Sequence, residues 1–144
     1  FPLKKKDGLD NSFDTSTMPH LLIRTADGNF RFCKADGSSY TVSATSYTEP
    51  EFASRTVGDE TTSPDPTFVG RKINDIFFYR NRLGFLSDEN VIFSKAGKFF
   101  TFWATTVTTA VDDDMIDLAV SHNKVSILKY AVPFNEQLVL FSDQ

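Results

Sequence analysis

The sequence predicts an all-β fold of antiparallel meander sheets joined by long loops. Three observations lead there. Fifteen Phe, four Tyr and one Trp stand among 144 residues, and aromatic side chains are enriched where a pleated, half-buried surface receives them. The apolar residues come in runs of four or five, separated by turn chemistry, and some alternate with a period of two. The connections between the central runs are far shorter than the dozen residues a parallel crossover needs.

The elements follow in order. Phe1-Pro2-Leu3-Lys4-Lys5-Lys6 is positively charged with no apolar run behind it, so it does not read as a secretory signal. Asp7 and Asp10 follow at once, which favours a solvated face or linker end over a phosphate contact. Leu21-Leu22-Ile23-Arg24, the turn Ala26-Asp27-Gly28-Asn29 and Phe30-Arg31-Phe32 read as a β-hairpin. A second Ala-Asp-Gly, Ala35 to Gly37, leads into Tyr40-Thr41-Val42, an offset that suits a meander and is too short for a solenoid repeat. Residues 1–45 are thus an N-terminal β-hairpin segment. From Ser43 to Thr67 the composition turns to Thr, Ser, Glu, Asp and Pro without periodicity. Residues 46–67 are expected to be a loop, linker or insertion, and the domain boundary is placed there.

Residues 68–144 are dense in strand signals. Asp75 to Tyr79, Leu83 to Leu86, Asn90 to Phe93 and Phe99 to Trp103 form an expected four-strand meander. Four such strands in sequence order are also one blade of a β-propeller. Burying one Phe stabilises by roughly 1.5–3 kcal/mol, so the seven Phe from Phe77 to Phe102 require cover on both faces, which neighbouring blades would provide. Ile116 to Val120 is expected to open a further sheet. Val125 to Tyr130 is ambiguous between helical turn and strand, limited by Pro133. Leu138 to Phe141 reads as a buried strand whose partner lies past Gln144. Residues 68–144 are therefore a blade and the start of the next. The missing initiator Met and the end inside a strand point to a piece of a longer polypeptide. Open edges and uncovered Phe faces should make that piece aggregate when isolated.

Charge and motif content exclude several functions. The net charge of −4 and the lack of a basic block argue against a protein that reads nucleic-acid sequence. The longest uncharged stretch, Phe99 to Val111, falls short of the ~20 residues of a spanning helix. One cysteine, Cys33, allows no internal disulfide and reads as a small buried hydrophobe. His20 and His122 lie far apart without ligand-spaced partners, so no zinc site is expected. There is no Gly-x-Ser-x-Gly elbow and no Gly-rich phosphate loop. No nucleophile, metal or cofactor is nominated.

Two constellations remain as interaction or turn residues. Asp112-Asp113-Asp114 with Asp117 could hold calcium or act as paired acids in glycoside hydrolysis. No Asp-x-Asp-x-Asp-Gly loop is present, however, and Gly is absent from Ala104 to Asn123, so a solvated turn before a strand is preferred. Arg80 and Arg82 flank Asn81 at a hairpin tip, where Asn tolerates a left-handed conformation. They could grip a neighbouring subunit or a phosphate, although bridges to Asp75 or Asp88 within the same sheet are the favoured reading.

A longer pattern overlies these pieces. Phe68-Val69-Gly70, the run from Ile73 to Ser87, Asp88 to Ser94 and Ser126 to Phe134 resemble the tail tubular protein B, or nozzle, family of short-tailed bacteriophages. Asn11-Ser12-Phe13-Asp14 with Thr17-Met18-Pro19-His20, and Arg24 before Ala26-Asp27-Gly28, resemble the segment that precedes those motifs in the family. The resemblance implies a non-enzymatic virion protein of the tail, assembled in the host cytoplasm and built around a β-propeller. It also implies a sixfold ring of copies below the ring of tubular protein A and beside the tail fibre. Phage DNA would pass through its channel without sequence-specific binding, which a neutral or mildly acidic wall suits better than a basic one. In such a ring the Asp112 to Asp114 carboxylates could pair with basic groups of a neighbour. The competing reading is a carbohydrate-binding or glycan-degrading module at the tail tip. It needs two carboxyl groups roughly 5–10 Å apart in a cleft, flanked by exposed Trp or Tyr, and Trp103 placed in a sheet offers it little.

Overall fold

The computed structural model describes residues 11–109, 111–120 and 124–143. Among them every regular element is a strand: β1 (Leu21–Arg24), β2 (Phe30–Cys33), β3 (Ser39–Val42), β4 (Thr45–Thr48), β5 (Asp75–Tyr79), β6 (Arg82–Ser87), β7 (Asn90–Phe93), β8 (Ile116–Ala119), β9 (Leu128–Phe134) and β10 (Gln137–Ser142). They form three two-stranded sheets, β1-β2, β3-β4 and β9-β10, and one four-stranded sheet in the order β5-β6-β7-β8. All pairings are antiparallel. The described strands do not close into a barrel or a propeller.

Turn chemistry sets the hairpins. Between β1 and β2 the Asp27 carboxylate accepts from the Asn29 amide at 3.2 Å and from the Thr25 hydroxyl, with Gly28 at φ 85°. β3 and β4 are joined by Ser43 and Ala44, both at positive φ (49° and 66°), the backbone of a primed two-residue turn. Neither residue advertises that turn, so β4 runs into the stretch read from sequence as structureless. The rest of that stretch lies on the protein: Phe52 packs against Phe13, Phe100 and Phe102, and Arg55 and Ser63 are buried.

The central sheet is a four-strand meander, but its fourth strand is β8 and not Phe99 to Trp103. After β7 the chain bends through Lys95 to Lys98, with Gly97 at φ 73° and the Lys98 amide bonded to the Lys95 carbonyl at 3.0 Å. Phe102 then drops onto Phe85 and Ile92 as buried cover, and Trp103 is buried beside it against Phe13 and Arg55. Aromatic density marks burial there, not extension. Ile116–Ala119, expected to open another sheet, instead pairs with β7, Phe93 opposite Ile116 and Val91 opposite Leu118.

Both faces of this sheet are apolar, and residues of the same chain cover their middle, while Ile76, Phe78 and Leu118 on the outer strands stay exposed. On one face Phe85 and Ile92 meet Met18, Phe68 and Phe102, with Phe13, Phe52 and Leu83 alongside. On the other, Phe77, Leu86 and Val91 meet Leu128 and Ala131, with Leu138 and Leu140 alongside. Gly84 permits the second layer: a Cβ there would lie 2.3 Å from the Phe77 ring, which faces it across the β5-β6 pair.

The strand Leu138 to Phe141 finds its partner within the chain, as β10 against β9. Asn135 and Glu136, at φ 46° and 64°, make the tight turn. Pro133 stands opposite Leu138. The hairpin is tied to β5 by the Ala131 amide on Asp75 Oδ2 at 2.9 Å, and near it by Asn74 Nδ2 on the Leu128 carbonyl at 2.8 Å.

Candidate interaction rim

One end of the central sheet gathers three turns. Arg80 and Asn81, at φ 47° and 60°, form the tight β5-β6 turn. The Arg80 guanidinium donates to the Glu136 carbonyl at 3.0 Å, as does the Tyr79 hydroxyl, which ties this tip to the β9-β10 tip. The Gly97 amide donates to the Asn81 carbonyl at 2.8 Å, which brings in the turn after β7.

Arg82 joins the two constellations singled out in the sequence. Its guanidinium donates to the carbonyls of Ser94 (3.0 Å), Asp112 (2.8 Å) and Asp114. It holds the acidic turn by the main chain and not by carboxylates. The bridges expected to Asp75 or Asp88 are not made: Asp75 caps the Ile76 and Ala131 amides, and Asp88 pairs with Arg71 at 2.6 Å. The register of β6 is the reason, since Arg82 lies opposite Tyr79 at the end of the sheet remote from both acids.

The four aspartates divide. Asp114 is buried and its carboxylate accepts from the Thr105 amide at 3.2 Å and from the Thr105 hydroxyl. Asp117, on β8, accepts from the Thr67 amide (2.8 Å), the Thr67 hydroxyl (2.7 Å) and Asn90 Nδ2 (2.8 Å). Asp112 and Asp113 are exposed, Asp113 within 3.9 Å of Lys95 Nζ. No group of three metal-ligating side chains occurs among the described residues.

The remaining candidates fall elsewhere. Trp103 lies beside a cleft with Asp14, Glu60 and Asp65, but it is 4% exposed. Phe13 stacks on its ring at 4.7 Å and the Arg55 guanidinium lies 4.6 Å from its centroid, so a sugar has little ring left to stack on. His20 donates through Nδ1 to the Met18 carbonyl (3.0 Å) and stacks on Phe32. His122, the Lys4 to Lys6 run, Asp7 and Asp10 lie outside the described residues. Cys33 is half-buried; burial first, then the Glu49 carboxylate, push its thiol up. Sequence reasoning missed Tyr79, Lys95 and Glu136 as members of the rim; Asn135-Glu136 between two apolar runs is the available signal for the second tip.

The family follows from comparison over the whole chain. A family model described as bacteriophage nozzle protein matches residues 4–144. The chain belongs to that nozzle family. It is also similar to the tail tubular protein gp12 of Escherichia phage T7, 48% identical over 128 residues. That match covers 89% of this chain and 14% of the relative. The rim described above is thus a feature of a nozzle-family chain that spans about a seventh of the relative's length.

Proposed function

We propose that the chain is part of a structural, non-enzymatic component of a bacteriophage tail, located in the virion. The match of a nozzle-family model to residues 4–144 carries this reading. The full-length protein assembles as a sixfold ring, stacks on tubular protein A, lies beside the tail fibre, and forms part of the channel through which phage DNA leaves. A slightly acidic chain, net −4, suits a channel wall that DNA must pass without sticking.

Within that protein the central sheet serves as a propeller blade. The outward side of the β9-β10 hairpin supports this, because Tyr130, Val132, Phe134, Val139 and Phe141 are all exposed there. An apolar sheet face of that size calls for a further sheet over it. Electron microscopy of the full-length protein mixed with tubular protein A is expected to show stacked sixfold rings. Separate particles at every mixing ratio would refute the reading.

A further inference from the structure

Residues 20–49 carry the hairpins β1-β2 and β3-β4 as an arm held between two anchors. Before it, Met18 is buried with Phe68, Phe85, Ile92 and Phe102; after it, Phe52 packs against the same cluster. Pro19 and Pro50 stand at the two junctions. Inside the arm there is little apolar cohesion. No residue of β1 to β4 is buried, whereas Gly84 to Ser87 of β6 and Val91 and Ile92 of β7 are. Neither apolar cluster draws a residue from β1 to β4. Among the described residues no hydrogen bond, ion pair or ring contact joins these strands to the central sheet.

A buried charge joins the two hairpins instead. The Glu49 side chain is 2% exposed, and its Oε1 accepts from Nε and Nη2 of Arg31 on β2, both at 2.7 Å. The same guanidinium lies 4.9 Å from the centroid of Tyr40 on β3, which stacks on Tyr47 of β4 at 5.5 Å. Among the described residues Arg31 is the one cation paired with Glu49. We propose that residues 20–49 are a latched arm, whose two hairpins are closed on each other by Arg31 and Glu49 and come apart while the central sheet stays folded. A local opening costs the buried contacts it breaks, and here the apolar ones are few. A buried carboxylate stripped of its cation is strongly destabilising, and opening is the route by which Glu49 regains water. Once apart, each hairpin is a lone two-stranded unit of marginal stability. Opening also frees the inward side of β2, where Arg31 and Cys33 alternate with the exposed Phe30 and Phe32. The latch is independent of the ring and the channel.

Native-state hydrogen exchange of the 144-residue chain, followed amide by amide at low urea, tests the latch. In the wild type the amides of β1 to β4 should exchange well before those of Phe85 and Ile92. Arg31→Met should speed β1 to β4 by roughly tenfold or more, because the buried carboxylate loses its partner, and leave β6 and β7 unchanged. Arg31→Lys, which keeps the charge but loses the two-nitrogen grip, should fall between. Arg24→Met, at an exposed position of β1, should change nothing. Alkylation of Cys33 supplies a second readout with an opposite sign for the two cases. Burial and then Glu49 push that thiol up, while Arg31 draws it down. Removing Arg31 from an arm that stays closed would therefore slow alkylation, whereas an opened arm speeds it, and faster alkylation in Arg31→Met is the expected result. Slower or unchanged alkylation would overturn the proposal. So would wild-type β1 to β4 protected as long as β6, β6 and β7 quickening in step with β1 to β4, or exchange of β1 to β4 untouched by Arg31→Met.

Discussion

Gly84 and Phe77 form one unit: the ring occupies the space that a Cβ on β6 would take. Gly84→Ala should therefore destabilise by about 1–3 kcal/mol, the usual range for overpacking. Phe77→Leu in the same chain should recover part of that loss, which a double-mutant cycle in urea would measure. Cys33 yields a second expectation at this scale. Its thiol is pushed up by burial and by Glu49, so the thiolate fraction near neutral pH falls and alkylation should be slower than for a free cysteine. The sign for stability follows. A raised value adds stability that is present below the ordinary thiol value and is lost as pH climbs through the folded one. The opposite holds for Asp14, Asp27 and Asp36, held below 3.8 chiefly by hydrogen bonds from Ser16, Thr25 and Ser38 respectively. Their contribution is present above the ordinary carboxylate range and fades as pH falls through the depressed values. An NMR titration of the three carboxyl carbons should place all three midpoints below 3.8.

Among elements, the hairpins are the most legible in sequence and the long excursion of residues 94–115 the least. Short apolar runs with Asp-Gly or Arg-Asn between them locate β1-β2 and β5-β6, because the turn residues themselves carry the backbone geometry. Ser43 and Ala44 carry no such mark, which hides β4. Phe99 to Trp103 has strand-like residues yet is cover, since apolar density reports burial without distinguishing a strand from a loop laid on a sheet. The part of the rim made by Arg82 is not legible either: a guanidinium that binds carbonyls depends on where the main chain passes, which no side-chain spacing encodes. Arg82→Met removes three such bonds. Hydrogen bonds to a charged group are worth about 1.5–3 kcal/mol each in isolation and are not additive, so the expected effect is local. Hydrogen exchange at the amides of Ala96, Thr105 and Asp114 should speed up, while β6 and β7 keep their protection.

For the whole molecule, the sheet is sandwiched within this one chain, with Phe85 and Ile92 under one layer and Leu86 and Val91 under the other. That cover holds the middle of the sheet, while Ile76, Phe78 and Leu118 on its outer strands stay exposed. The 144-residue chain is thus expected to unfold cooperatively while still self-associating through the outer side of β9-β10, where Tyr130 is 65% and Phe134 63% exposed. Val132→Thr with Val139→Thr, a facing pair on that side, should shift sedimentation toward monomer without lowering the melting temperature by more than a few degrees. A loss of cooperative melting would show instead that the hairpin needs those side chains to hold its own register.

The excursion between β7 and β8 is fastened early, by the Lys95 amide on the Thr101 carbonyl, and late, by Asp114 on Thr105 and by Arg82. Thr106 to Thr109 lie between those fastenings. Lengthening a loop between fixed ends costs little, about 0.6 kcal/mol per doubling. That stretch is therefore the natural port for grafting: an epitope or fluorophore tag inserted after Thr108, which is exposed, is expected to leave the sheet undisturbed.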